Sequence, residues 1–297
     1  MTVVNPPSPE SNPFQHLKVR YLILQFILLS FLVGFVLNFI APVLNINQNE
    51  VLWETITAML VMIGFTFWVW QQSKGLGVHL PSLTGKVFNN YRFLPTLTII
   101  IFLFLFSLGS FQFFYGLISF VAPDFVENFL NQKIFVGPSE SSFPLLKNIL
   151  IAINIIIVAP ITEEFIFRGI ILHRWAEKWN IQIAVVASSL FFGVLHGNAV
   201  GLFIFGLAMA LLYLKTNRLI VPIIAHTLNN FAVLVIEFIL LSTSEVDVSY
   251  SLSEFRSQWW VGLLYIAISA PFIWQFIQNN WPRKDRILPY GMNQQSR

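Results

Sequence analysis

The 297-residue chain is 56% hydrophobic and 16% aromatic but only 10% charged, against roughly a quarter charged in soluble domains. That balance excludes an ordinary soluble globule and predicts an all-α, polytopic membrane protein. The net charge of +3 reflects the placement of basic residues at helix ends, so no nucleic-acid partner is expected. The sequence has no cysteine, which excludes thiol catalysis, disulfides and thiolate metal sites together.

The first stretch, MTVVNPPSPESNPFQ, is polar and Pro-rich, with no basic region ahead of a short apolar core. Residues 1–17 are therefore expected to be a disordered tail and not a cleavable signal. A membrane helix takes about twenty apolar residues. Eight such spans are expected, near 20–44, 53–71, 93–121, 146–173, 181–197, 199–214, 218–242 and 258–279. The segments between them, such as NINQNE, SKGLGVHLPSLTGK, KTNR and TSEVDVSYSLSE, carry the breakers and polar residues of loops.

This divides the chain into three N-terminal helices (18–121), a candidate catalytic core (146–242), a final helix (258–279) and a tail (280–297). With the N-terminus in the cytoplasm, basic residues from Lys18 and Arg20 to Arg286 and Arg297 fall on the cytoplasmic side. Only Lys133, Lys147 and Arg256 fall outside, so both termini are expected to be cytoplasmic. The fifth and sixth spans are short, and their HGNA connection is expected to lie within the depth of the membrane.

The fourth span breaks the apolar rule with APITEEFIFRGIILHRW. A charge at the centre of a membrane helix costs about 2.5–3.5 kcal/mol even on lenient scales. Glu163, Glu164 and Arg168 must therefore face a partner or water. Glu164 and Arg168 share a helix face and are expected to pair. Glu163, turned about 100° away, is left to face something else.

Two other spans carry candidates for it. FFGVLHG sets Phe192 and His196 four apart at the end of the fifth span, and AHTLNN sets His226 and Asn230 four apart in the seventh. His16, His79 and His173 fall in cytoplasmic segments or at a cytoplasmic helix end. Each feature alone has a packing explanation, since a lone His or Asn commonly hydrogen-bonds a neighbouring helix. Asn154 and Glu237 are read that way. Packing does not call for an unpaired second glutamate plus two imidazoles, so the set together points to a shared functional site.

In this order and spacing the motifs resemble the CAAX protease and bacteriocin-processing family of intramembrane proteases (the CPBP or Abi family, type II CAAX prenyl endopeptidase-like). Its pattern is Glu-Glu-x-x-x-Arg, Phe-x-x-x-His and His-x-x-x-Asn on successive membrane helices. Here it reads Glu163-Glu164-Phe-Ile-Phe-Arg168, Phe192-Gly-Val-Leu-His196 and His226-Thr-Leu-Asn-Asn230. The resemblance implies an endopeptidase acting on a membrane-associated or lipidated peptide or protein. It implies Glu163 as general base assisted by His196, His226 and Asn230 as oxyanion donors, and Glu164 with Arg168 as a supporting ion pair.

No cofactor is expected; zinc on Glu163, His196 and His226 is the alternative, as catalytic His₂Glu zinc sites exist. Other expected partners are membrane lipids, and the expected location is a bacterial plasma membrane or a thylakoid or other organellar membrane. A non-catalytic scaffold or immunity-type protein using the same pocket, and a proton-coupled transporter, stay open as alternatives. One geometric tension remains. His196 lies fifteen residues past Ile181, about 22 Å along an upright helix, whereas Glu163 lies about 15 Å from His173. The fifth helix is therefore expected to tilt or to enter late.

Overall fold

The apolar runs fold as the hydropathy pattern predicts, because a backbone in lipid must satisfy its own hydrogen bonds and a helix does so within one segment. The computed structural model describes residues 12–43, 51–86, 91–137, 143–243 and 251–295, and every regular element among them is helical. Among the described residues, seven helices are long and apolar enough to cross a membrane. They are α1 (Val19–Val43), α2 (Val51–Gly75), α4 (Leu94–Ile118), α6 (Pro144–Lys178), α8 (Ala199–Thr216), α9 (Ile220–Thr243) and α11 (Trp259–Asn280). Four are short: α3 (Leu80–Thr84), α5 (Pro123–Leu130), α10 (Leu252–Ser257) and α12 (Pro289–Gln295).

The expected fifth span is α7 (Ile181–Val194), which at 14 residues falls short of a full crossing. Among the described residues the expected eight spans are thus seven long helices plus one short apolar helix. The chain is an all-helical integral membrane protein.

Helix α8 lies at the centre. Every residue from Phe205 to Leu214 is buried, so it is apolar all round and has no lipid-facing stripe. Helix α1 is the opposite case: Phe31, Phe35 and Phe39 are each more than 70% exposed, a surface suited to lipid. Helices α4 and α11 touch through facing glycines. A Cβ on Gly109 would come within 2.7 Å of the Gly262 carbonyl, and one on Gly262 equally close to that of Gly109. Lipid tails give no hydrophobic drive for helix association, so such close backbone packing takes its place.

Of the tail expected to be disordered, residues 1–11 lie outside the described residues, but 12–17 are ordered. Asn12 Oδ1 accepts from the Phe14 amide at 3.2 Å and caps a 3₁₀ turn, Pro13–His16, with Phe14 fully buried. A capping Asn, a Pro at the first helical position and one aromatic anchor suffice to dock it. The C-terminal tail is likewise docked: Asn293 Nδ2 of α12 donates to the carbonyls of Ser82 and Asn217, both at 2.9 Å. The Phe14 and Tyr290 rings meet edge to face at 5.1 Å, so both described ends of the chain lie at one end of the bundle.

Candidate active site

Helix α6 carries the two glutamates, and its backbone is not uniform. It widens into π-helical turns at Asn154–Val158 and Phe165–Ile171, on either side of the segment that holds Glu163 and Glu164. Such turns recur at functional sites. In the first, the Ala159 amide donates five residues back, to the Asn154 carbonyl, and Pro160 has no amide to give. Ile155 and Ile156 thereby lose their usual α-helical partners. Helix α9 supplies replacements: Asn230 Nδ2 donates to the Ile155 carbonyl at 2.9 Å and Thr227 Oγ1 to the Ile156 carbonyl at 2.8 Å. The His-x-x-x-Asn helix is thus bonded to the Glu-Glu helix by its side chains.

Glu164 is fully buried, and its Oε1 accepts from Arg168 Nη1 at 2.9 Å, as the four-residue spacing predicts. The same oxygen lies 2.9 Å from His226 Nδ1, a contact the sequence analysis did not anticipate. Arg168 Nη2 donates to the Gly206 carbonyl at 2.9 Å, and its guanidinium lies 4.8 Å from the Phe192 ring centre. Phe192 in turn offers its carbonyl to His196 Nδ1 at 2.6 Å and packs against that imidazole with centroids 4.4 Å apart and planes tilted by 33°.

Each histidine therefore has Nδ1 held by an acceptor. With Nδ1 so held, Nε2 presents a lone pair in the neutral imidazole and a second N–H in the imidazolium. Both Nε2 atoms face Glu163: Oε2 is 3.7 Å from that of His196 and 3.9 Å from that of His226. These separations exceed a direct hydrogen bond and suit a bridging water. Consistently, Glu163 Oε2 is buried and has no protein hydrogen-bond partner. The structure brings Glu163, Glu164, Arg168, His196 and His226 together. Asn230 lies one turn beyond His226 on α9, with one of its two amide hydrogens committed to Ile155.

The depth tension has a simple resolution. Helix α6 runs to Lys178, not His173, and α7 starts at Ile181. Glu163 lies 16 residues before Trp179 and His196 lies 16 after Asn180, so they sit opposite each other across the turn without special tilt. His196 is held in the turn between α7 and α8. Asn198 caps α8 by accepting from the Gly201 amide, and its Nδ2 donates to the Ser107 carbonyl of α4 at 2.8 Å. Tyr115 donates to the Gly197 carbonyl at 2.8 Å. The Asn before an apolar run was the available sequence signal for this cap.

Glu237 lies outside the site and accepts from the Ile134 amide at 3.1 Å. Asn154 is also outside it, with its Oδ1 buried and lacking a hydrogen-bond partner.

Glu163 and His196 line a cavity of about 350 Å³ whose other walls, Thr162 apart, are apolar, built by α1 (Ile23, Phe26), α2 (Met62, Phe65), α6 and α7. Zinc on Glu163, His196 and His226 would need donors about 2.0–2.2 Å from one point, hence roughly 3.3–3.5 Å apart. Both spacings to Glu163 Oε2 are wider, and among the described residues no group of three His, Cys, Asp or Glu side chains is set to hold a metal ion. As placed, these residues do not fit the ion.

Residues 145–232 match the family model described as type II CAAX prenyl endopeptidase Rce1-like. The resemblance read from the three motifs is borne out. The matched segment contains Glu163, Glu164, Arg168, His196, His226 and Asn230. Over 84 residues, 27% of this chain and 34% of the relative, it is 40% identical to the "Putative membrane peptidase YdiL" of Bacillus subtilis (strain 168). Over 86 residues, 26% of this chain and 40% of the relative, it is 29% identical to an "Uncharacterized 24.3 kDa protein" of Escherichia coli. The chain thus matches between a third and two fifths of the length of these curated relatives. No solved structure matches it significantly.

Proposed function

We propose that the protein is an intramembrane endopeptidase that hydrolyses a peptide bond of a membrane-associated or lipidated substrate with glutamate-activated water. One observation carries this reading: two oriented imidazoles lie within 3.9 Å of the Glu163 carboxylate, which with His196 lines a largely apolar cavity among membrane helices.

In this mechanism a water sits between Glu163 Oε2 and His196 Nε2. Glu163 takes a proton as the water oxygen attacks the carbonyl carbon, and the carbonyl oxygen becomes an oxyanion. His226, already donating from Nδ1 to Glu164, gives its second N–H to the oxyanion as an imidazolium, with the Glu164 carboxylate balancing its charge. The uncommitted amide hydrogen of Asn230 is the second donor. Oxyanion donors of this kind contribute roughly 3–4 kcal/mol each. Glu163 then returns its proton to the leaving amine, the C–N bond breaks, and no metal takes part.

The test compares membrane peptides from cells carrying the wild type, Glu163→Ala and His196→Ala. Peptides present only with the wild type are expected; three identical profiles would refute the peptidase and favour a scaffold. Activity of the purified protein is expected to survive a chelator. Rapid loss that added zinc restores would reject the metal-free mechanism.

A further inference from the structure

One buried titratable side chain has no part in that mechanism. His173 is 1% exposed and sits five residues beyond Arg168 on α6. Its Nδ1 donates to the Arg168 carbonyl at 3.1 Å, and its Nε2 accepts from the Tyr290 amide at 3.4 Å. Phe14 stacks on the ring with centroids 4.8 Å apart and planes 20° from parallel, and Tyr213 meets it edge-on at 5.8 Å.

The two segments that cover His173 are the docked ends of the chain, each tied down separately. Asn12 and Gln15 donate to the Glu177 carboxylate at 2.6 and 2.8 Å. The Tyr290 hydroxyl accepts from the His79 amide at 3.1 Å. An unbroken chain of contacts therefore runs from both ends, through one imidazole, to the residue whose guanidinium holds Glu164 and, through Glu164, His226.

A packing role needs only the ring. This imidazole also uses both nitrogens, one on the carbonyl of a widened π-helical turn and one on the C-terminal tail. We propose that His173 is a positioning residue that couples the docked chain ends to the Arg168–Glu164–His226 network and keeps the Nε2 of His226 aimed at Glu163. The coupling rests on the proposed function only for its effect on rate; its structural effect stands apart from it.

The experiment uses the full-length protein in detergent, with His173→Phe, His173→Gln and Phe14→Ala. Phenylalanine keeps the stack and loses both hydrogen bonds; glutamine can donate and accept without the ring. Phe14→Ala alters only the peripheral turn and guards against a variant that fails to fold. Hydrogen exchange is read at the amides of 165–172 and 223–230, and hydrolysis is read on a mixture of internally quenched apolar peptides.

His173→Phe is expected to speed exchange in both segments at least ten-fold and to lower kcat at unchanged KM; Phe14→Ala, which loses the stack but keeps both His173 hydrogen bonds, is expected to speed exchange in both segments about three-fold. His173→Gln is expected to stay within three-fold of the wild type in both readouts. Faster exchange confined to residues 12–17 and 289–295, or wild-type behaviour of His173→Phe, would overturn the coupling. A wild type that cleaves none of the peptides would count against the peptidase reading for this class of substrate, while the exchange arm would still decide the coupling.

Discussion

Glu163 and Glu164 are neighbours in sequence with opposite environments. Glu164 is sealed and accepts from Arg168 and His226 on a single oxygen; Glu163 reaches the cavity and has no ion pair closer than 3.7 Å. Glu163→Gln is expected to cut hydrolysis by about 10²–10⁴-fold while leaving thermal stability in detergent near that of the wild type. Glu164→Gln leaves the Arg168 cation buried without its counter-charge, at a cost of about 3–5 kcal/mol. A clear drop in unfolding temperature is therefore expected. Equal stability losses in the two variants would refute this division of roles. The Glu164–Arg168 pair was legible in the sequence because helix geometry fixes a four-residue spacing. The Glu164–His226 bond joins residues 62 apart, and no local rule predicts it.

At the level of elements, apolar length was enough to place the seven long helices within a few residues, but not to show where their backbones deviate. The first π-helical turn of α6 depends on α9 side chains that donate hydrogen bonds to its freed carbonyls, so its origin is tertiary. Thr227→Val should strand the Ile156 carbonyl and cost about 1–3 kcal/mol, measured by reversible denaturation in mixed micelles. The α7–α8 hairpin offers a stricter test. A Cβ at Gly193 would lie 2.5 Å from the Ala199 carbonyl oxygen and 2.7 Å from the Phe203 nitrogen, both backbone atoms that cannot rotate aside. Gly193→Ala is expected to destabilise by roughly 1–3 kcal/mol and to displace His196. Unchanged stability and activity would show that this close approach is dispensable.

For the molecule as a whole, the uneven distribution of basic residues predicts that the His173 end faces the cytoplasm. Because the native chain has no cysteine, single replacements can be labelled without background. Ser253→Cys is expected to react with a membrane-impermeant maleimide in intact cells, and Lys284→Cys only after permeabilisation; the reverse pattern would invert the topology. Composition alone sufficed for the helical class and the membrane setting, because transfer of apolar side chains and closure of backbone hydrogen bonds are local quantities that add along the chain. Motif spacing further singled out the charged and polar residues that lipid would not tolerate. Folding in three dimensions decided the rest: which carboxylate is sealed and which meets the cavity, that Asn230 and Thr227 complete the backbone of α6, and that the chain ends close over His173. Those outcomes depend on distances between residues far apart in sequence, which arise only once the helices pack together.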